Sequence, residues 1–162
     1  MSTFDVRAID PNSAADSAAV TAILHRSWGS PIVISRGVAH DAARLPGFIA
    51  ERDGEPAGLV TYRPDQPAWE IVTLDAVTSG CGVGTALLSS VAQTARAASA
   101  SRLWLVTTND NLDALRFYQR RGWRLRRMHP DAVDEARRLK PIPLAGSYGI
   151  EIHDELELDL TL

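Results

Sequence analysis

The stretch "VTSGCGVGTALL", residues 77–88, spaces Gly80, Gly82 and Gly84 two apart, ahead of an apolar run at helical spacing. Glycine costs conformational entropy on folding, so three together mark backbone that turns sharply or lets something approach closely. A strand entering such a loop and leaving as a helix presents free N–H groups at the positive end of the helix dipole, which suits phosphate. An ordinary strand-to-helix turn is the plainer alternative, although one glycine usually suffices for it. Two familiar phosphate loops do not fit. A dinucleotide fingerprint needs Gly-x-Gly-x-x-Gly, and here the third glycine comes one residue early. A P-loop needs lysine between glycine and Ser/Thr, and Gly84 is followed directly by Thr85.

Other chemistry is narrower. Cys81 is the single cysteine, which excludes an internal disulfide and a cysteine-based zinc site and suggests no nucleophilic triad. No pair among the 4 histidines has metal-ligand spacing, so no metal is expected. Arg116 to Lys140 holds 9 Lys/Arg against 3 Asp/Glu. That run reads as a solvated face, with Arg116, Arg120 or Arg121 near a phosphate as the next reading. Nucleic-acid binding is not expected, because no stacking aromatics or known module accompany the charge.

The elements that must position these residues follow from periodicity. "FDVRAID" alternates as a first strand, and residues 13–28 make a helix with Ser13 or Asp16 as cap. "WGSPIVISRGVAHDAARLP" reads as a loop with a short helix. "GFIAERDGEPAGLVTYRPD" is a hairpin about Asp53-Gly54, and "AWEIVTLDAV" a central strand. A helix runs from Val83 to about Ala100, then the strand "RLWLVTT", then a helix through "LDALRFYQRR" capped by Asn109 or Asn111 and ended by Gly122. "WRLRRMHP" is a strand stopping at Pro130, "AVDEARRLK" a short helix, "PIPLAGSYG" a turn region, and "IEIHDELELDL" a closing strand in strict alternation. The 162 residues and net charge of −3 suit one soluble mixed α/β domain over 1–162, with no membrane span. One cysteine and no signal peptide favour the cytoplasm.

Two motifs then carry a resemblance. "LDAVTSGCGVGTALLSSV" resembles the pyrophosphate-binding motif of the GNAT superfamily of N-acetyltransferases, with Gly82 and Gly84 as its fixed glycines. About 35 residues on, "NLDALRFYQRRGW" resembles the second signature, matching at Asn111, Ala114, Phe117, Tyr118, Gly122 and Trp123. The resemblance implies the GNAT fold, a mixed central sheet of about seven strands with flanking helices. It implies acetyl-CoA as acyl donor, its pyrophosphate on Gly80, Cys81, Gly82, Val83, Gly84 and Thr85, and its pantetheine arm along Leu74, Asp75, Ala76 and Val77. Asn111, Asn109 and Ala114 would join that site, with Phe117 shared between it and the core. Ser79 and Cys81 stand where the family often carries basic residues, so one charged phosphate contact is missing.

Direct acetyl transfer to an amine needs a base, an oxyanion donor and an acid for the leaving thiolate. The resemblance makes Tyr118 the acid, Glu70 the first choice of base and Asp75 the second. With unbroken alternation Asp75 faces away from Glu70, and a bulge would reverse that. Trp28 and Arg36 are candidates to hold the acceptor, expected to be a small primary amine. A CoA-binding sensor and an enzyme acting on a protein N-terminus or lysine are the alternatives. The oligomeric state stays open, a homodimer included.

Overall fold

The computed structural model describes residues 3–162. Strand β1 (Asp5–Ala8) leads to helix α1 (Ala14–Trp28), whose first turn is capped by Ser13 Oγ accepting the Asp16 N–H, and which Gly29 closes at φ +71°. Residues 30–46 are more ordered than expected. Ile32, Val33 and Ile34 are β-branched, and Arg36-Gly37 both take positive φ, the geometry of a two-residue hairpin turn. The segment is therefore a hairpin, β2 (Ile32–Ser35) and β3 (Val38–Asp41), followed by one 3-10 turn at Ala42–Arg44. β4 (Gly47–Arg52) and β5 (Glu55–Arg63) form the hairpin turning at Asp53-Gly54, both with positive φ. After β6 (Ala68–Ala76) come α2 (Val83–Ala97), β7 (Arg102–Thr108), α3 (Leu112–Gln119), β8 (Arg124–His129), α4 (Ala132–Ala136) and β9 (Glu155–Thr161). β9 starts later than its alternation suggests, because residues 150–154 belong to a turn bridged from Glu151 to Ala145.

Seven strands form one sheet in the order β1-β4-β5-β6-β7-β9-β8, antiparallel except for β6 and β7. That parallel pair is joined only over Ala68–Glu70 and Arg102–Trp104, after which the strands part. β6 also carries a bulge: Thr73 pairs with Thr61 and Ile71 with Tyr62, leaving Val72 as the extra residue. On one face α2 buries Val83, Leu87, Val91 and Ala95 against Val60, Ile71 and Leu103. On the other α1 packs Val20, Ile23 and Leu24 onto Ile49, Leu59 and Val72. Each leucine so buried contributes about 2 kcal/mol. Among the described residues no helix is long and apolar enough to cross a membrane.

Arg7 tethers α1 to the sheet, gripping Asp16 through two 2.8 Å bonds while the Asp10 N–H donates to the same carboxylate at 2.8 Å. Chiefly through Arg7, the Asp16 carboxyl is held down at about 2. A carboxyl depressed in the folded state adds stability that is complete above its ordinary pKa and is lost as pH falls through the folded value. Asp16→Asn therefore lowers the melting temperature near neutrality. The gap to the parent protein closes as pH goes from about 4 to about 2. Thermal melts over that range check the sign, and a gap that persists at the acid end contradicts it.

Candidate active site

The three glycines of the loop do two different jobs. Gly80 and Gly82 sit at φ +80° and +79°, in the left-handed region that side chains with a Cβ rarely adopt, and the space beside them is open. Gly84 is helical, and a Cβ there would lie 3.1 Å from the Phe117 ring, so its role is close approach of α3 to α2. The first intrahelical bond of α2 runs from the Ala86 N–H to the Gly82 carbonyl. The N–H groups of Val83, Gly84 and Thr85 therefore point forward from the helix start with no intrahelical partner.

These groups open onto a cleft of about 560 Å³. Every loop residue from Thr78 to Thr85 lines it, with Leu74 and Ala76 from β6 and Ala114, Phe117 and Tyr118 from α3. Arg121 stands at its edge, its Nε donating to Thr85 Oγ1 at 2.9 Å and its guanidinium stacked 3.7 Å from the centre of the Phe117 ring. It brings to the cleft a positive charge that Ser79 does not. Cys81 lines the same cleft, with its thiol 3.7 Å from the Ser79 carbonyl oxygen. Val77 lies outside the lining and donates its N–H to the Ala57 carbonyl at 2.8 Å.

Tyr118 lines the cleft as a largely buried side chain. Its ring meets Phe117 edge-on at 5.2 Å and Trp123 at 5.3 Å, and no hydrogen bond joins its hydroxyl to another described residue. Burial pushes its pKa well up, the Asp75 charge adding to the effect, so the phenol stays protonated. Asp75 accepts the Trp28 indole N–H at 2.9 Å, and burial raises its carboxyl despite that bond. The bulge at Val72 decides its direction. Leu74 turns to the glycine cleft, and Asp75 returns to the α1 side, the face to which Glu70 already points.

A second cavity, about 370 Å³, lies on that α1 side where β6 and β7 part. Its walls are largely apolar, Val33, Val72, Val106, Ile142 and Ile152 among them, and Trp28 and Asn111 line it as well. Asn111 links it to the first cleft: its Oδ1 accepts the Ala114 N–H at 3.3 Å and its Nδ2 donates to Thr107 Oγ1 at 3.2 Å. Glu70 is 2% exposed on the cavity wall, hydrogen-bonded by the Ser35 hydroxyl and lying 3.3 Å from Arg63 and 3.9 Å from His40. Its burial sets it apart from a solvent-facing strand-end carboxylate.

Glu155, from β9, shares the cavity and was not legible in the sequence. "ELELD" reads as an alternating strand with its acids toward solvent, yet Glu155, Glu157 and Asp159 are each at most 4% exposed. Burial raises the Glu155 carboxyl, and the nearby Glu70 charge adds to this, against the Arg36 backbone N–H that donates to it at 3.3 Å and the His129 charge. Lys140 also lines the cavity. Two expected site residues are not brought there. The Arg36 guanidinium lies over Trp104 at 5.2 Å and 3.9 Å from Glu157, at a separate charged surface. Asn109 binds the residues before β9, its Oδ1 accepting the His153 and Asp154 N–H groups, and the cap of α3 is Asn111.

A glycine-lined cleft and an apolar, acid-bearing cavity lie to either side of the point where β6 and β7 part, an arrangement suited to group transfer. The chain belongs to the acetyltransferase (GNAT) family, whose model matches residues 18–123, and acetyl transfer is its class of reaction. A Bacillus subtilis (strain 168) relative, the uncharacterized protein YxbD, is 43% identical over 142 residues, covering 86% of this chain and 89% of its own. In fold the chain is similar to an IAA acetyltransferase from Bacillus cereus ATCC 14579, with TM-score 0.77 and 21% identity, covering 99% of this chain and 100% of that one. It is likewise similar to a GNAT family acetyltransferase from Elizabethkingia anophelis with acetyl-CoA bound, with TM-score 0.71 and 18% identity over 98% of each chain.

Proposed function

We propose that this protein transfers the acetyl group of acetyl-CoA to the primary amine of a small molecule by direct attack. The observation that carries the reading is the cavity of about 370 Å³ holding two buried carboxylates among apolar walls. Its volume is that of a small-molecule site, and its charge suits an ammonium on an apolar body. The acyl donor is assigned to the other cleft. The free N–H groups of residues 83–85 and the helix dipole receive the pyrophosphate, Arg121 adds charge, and the edge of β6 near Leu74 to Ala76, left open where β7 departs, pairs with the pantetheine arm. This runs the thioester past Tyr118 toward the acceptor cavity.

In this reading Glu70 takes the proton of the bound ammonium, Glu155 shares in holding it, and Asp75 positions Trp28 at the junction. Tyr118 donates to the sulfur as the C–S bond breaks. The thiol of Cys81 suits a reducing compartment, and we place the reaction in the cytoplasm. The test is calorimetric titration with acetyl-CoA together with thiol release across a panel of primary amines. Tight CoA binding with no turnover on any amine would favour a sensor and overturn the enzyme. The loop has its own prediction: Ser79→Arg restores a cation beside the pyrophosphate and tightens CoA binding by about 1 kcal/mol, roughly fivefold, lost at high salt. Unchanged affinity refutes that assignment of the loop.

A further inference from the structure

Lys140 is the only lysine in the sequence; every other Lys/Arg side chain is arginine. Its position is specific. It follows α4, and Arg137 pins the segment behind it, donating to the carbonyls of Ile142 at 3.1 Å, Pro143 at 2.9 Å and Ile152 at 2.7 Å. Thus fixed, Lys140, Pro141, Ile142 and Pro143 form one wall of the acceptor cavity. The Lys140 Nζ reaches back to donate to the Ile32 carbonyl at 2.7 Å, and no described carboxylate lies within ion-pair distance of it. The cavity assigned to an amine acceptor therefore already contains an amine belonging to the chain.

We propose that Lys140 is acetylated by its own active site, a modification that rests on the acetyl-transfer reading above. Burial without a counter-ion lowers the Lys140 pKa and so enriches the neutral, nucleophilic amine. A guanidinium stays charged and could not serve in its place. The four-carbon stem lets Nζ leave the Ile32 carbonyl and swing into the cavity that it lines. The ammonium first gives one proton to a cavity carboxylate, which passes it to solvent. The nitrogen then attacks the thioester carbonyl carbon, a C–N bond forms and the C–S bond breaks, and the nitrogen's second proton ends on the CoA sulfur. The products are the Lys140 amide, CoA thiol and one released proton. The amide keeps an N–H for Ile32, loses the only ammonium lining the cavity among the described residues, and fills space that an acceptor would need.

The test uses the full-length protein, incubated with acetyl-CoA at neutral pH and followed by intact mass and peptide mapping. Because the chain has one lysine, the side-chain product is unambiguous once mapping sets aside the N-terminus and Cys81. The expected result is a gain approaching one acetyl group per chain at Lys140, absent in Lys140→Arg. In Tyr118→Phe the gain is slower by roughly 100-fold, and an amine that the enzyme turns over competes with it. If CoA binds and free amines are acetylated while Lys140 stays unmodified, this proposal falls and the proposed function stands. If Lys140 gains acetyl equally fast in urea-unfolded protein, the reaction is uncatalysed and the proposal also falls. If CoA does not bind at all, both fall together.

Discussion

Tyr118→Phe lowers kcat by about 100-fold, near 2.7 kcal/mol of transition-state stabilisation, and leaves the Kd for acetyl-CoA within about twofold. The phenyl ring keeps its contacts with Phe117 and Trp123. The lost hydroxyl leaves no described residue without a hydrogen-bond partner, so little stability changes with it. In the proposed mechanism, what disappears is the donor to the departing CoA sulfur. Burial and the Asp75 charge raise the Tyr118 pKa, so the parent enzyme shows no alkaline limb from this group in the working range. Stopped-flow thiol release, with calorimetry for CoA, separates the two effects. An undiminished kcat would remove Tyr118 from the mechanism.

Glu70→Gln lowers kcat for the amine by roughly 100-fold, with a rise in KM from the lost attraction for the ammonium. The amide is close to isosteric, and its oxygen still accepts the Ser35 hydroxyl, so the cavity keeps its shape. The charge facing Arg63 and His40 is gone. The pH profile gives a second readout. The Glu70 charge helps to raise the Glu155 carboxyl, so removing it lets that pKa fall. Residual activity that needs Glu155 ionised then persists to lower pH, and the acid limb of kcat/KM moves down. If KM alone rises while kcat holds, Glu70 anchors the amine and another group takes the proton.

Much of this site was legible because its signals are local. A glycine at positive φ, an asparagine capping a helix and an alternating strand are each set by a few neighbouring residues. Gly80, Gly82 and Asn111 therefore fall where spacing puts them, as do β4, β5, β6 and α2. The hairpin of residues 30–41 was harder, since Arg36 must adopt a left-handed conformation that its residue type does not advertise. Arginine and asparagine can bind ligands, which makes Arg36 and Asn109 site candidates by type. Nearer partners take them instead: Trp104 and Glu157 for the first, the backbone of His153 and Asp154 for the second.

Short-range pattern sets most of the elements, the glycine loop ahead of α2 and the two motifs that resemble the family. Which carboxylates line the second cavity is a matter of long-range packing. One extra residue in β6, Val72, turns Asp75 to the same face as Glu70, which alternation could not supply. Early separation of β6 from β7 opens the space they share. Glu155 and Lys140 reach that space from beyond residue 136, where the strand and short-helix patterns describe polar residues facing water. The physical reason is range. Turn and cap chemistry is settled within a few residues, whereas the face of a strand that becomes buried depends on what distant chain comes to cover it.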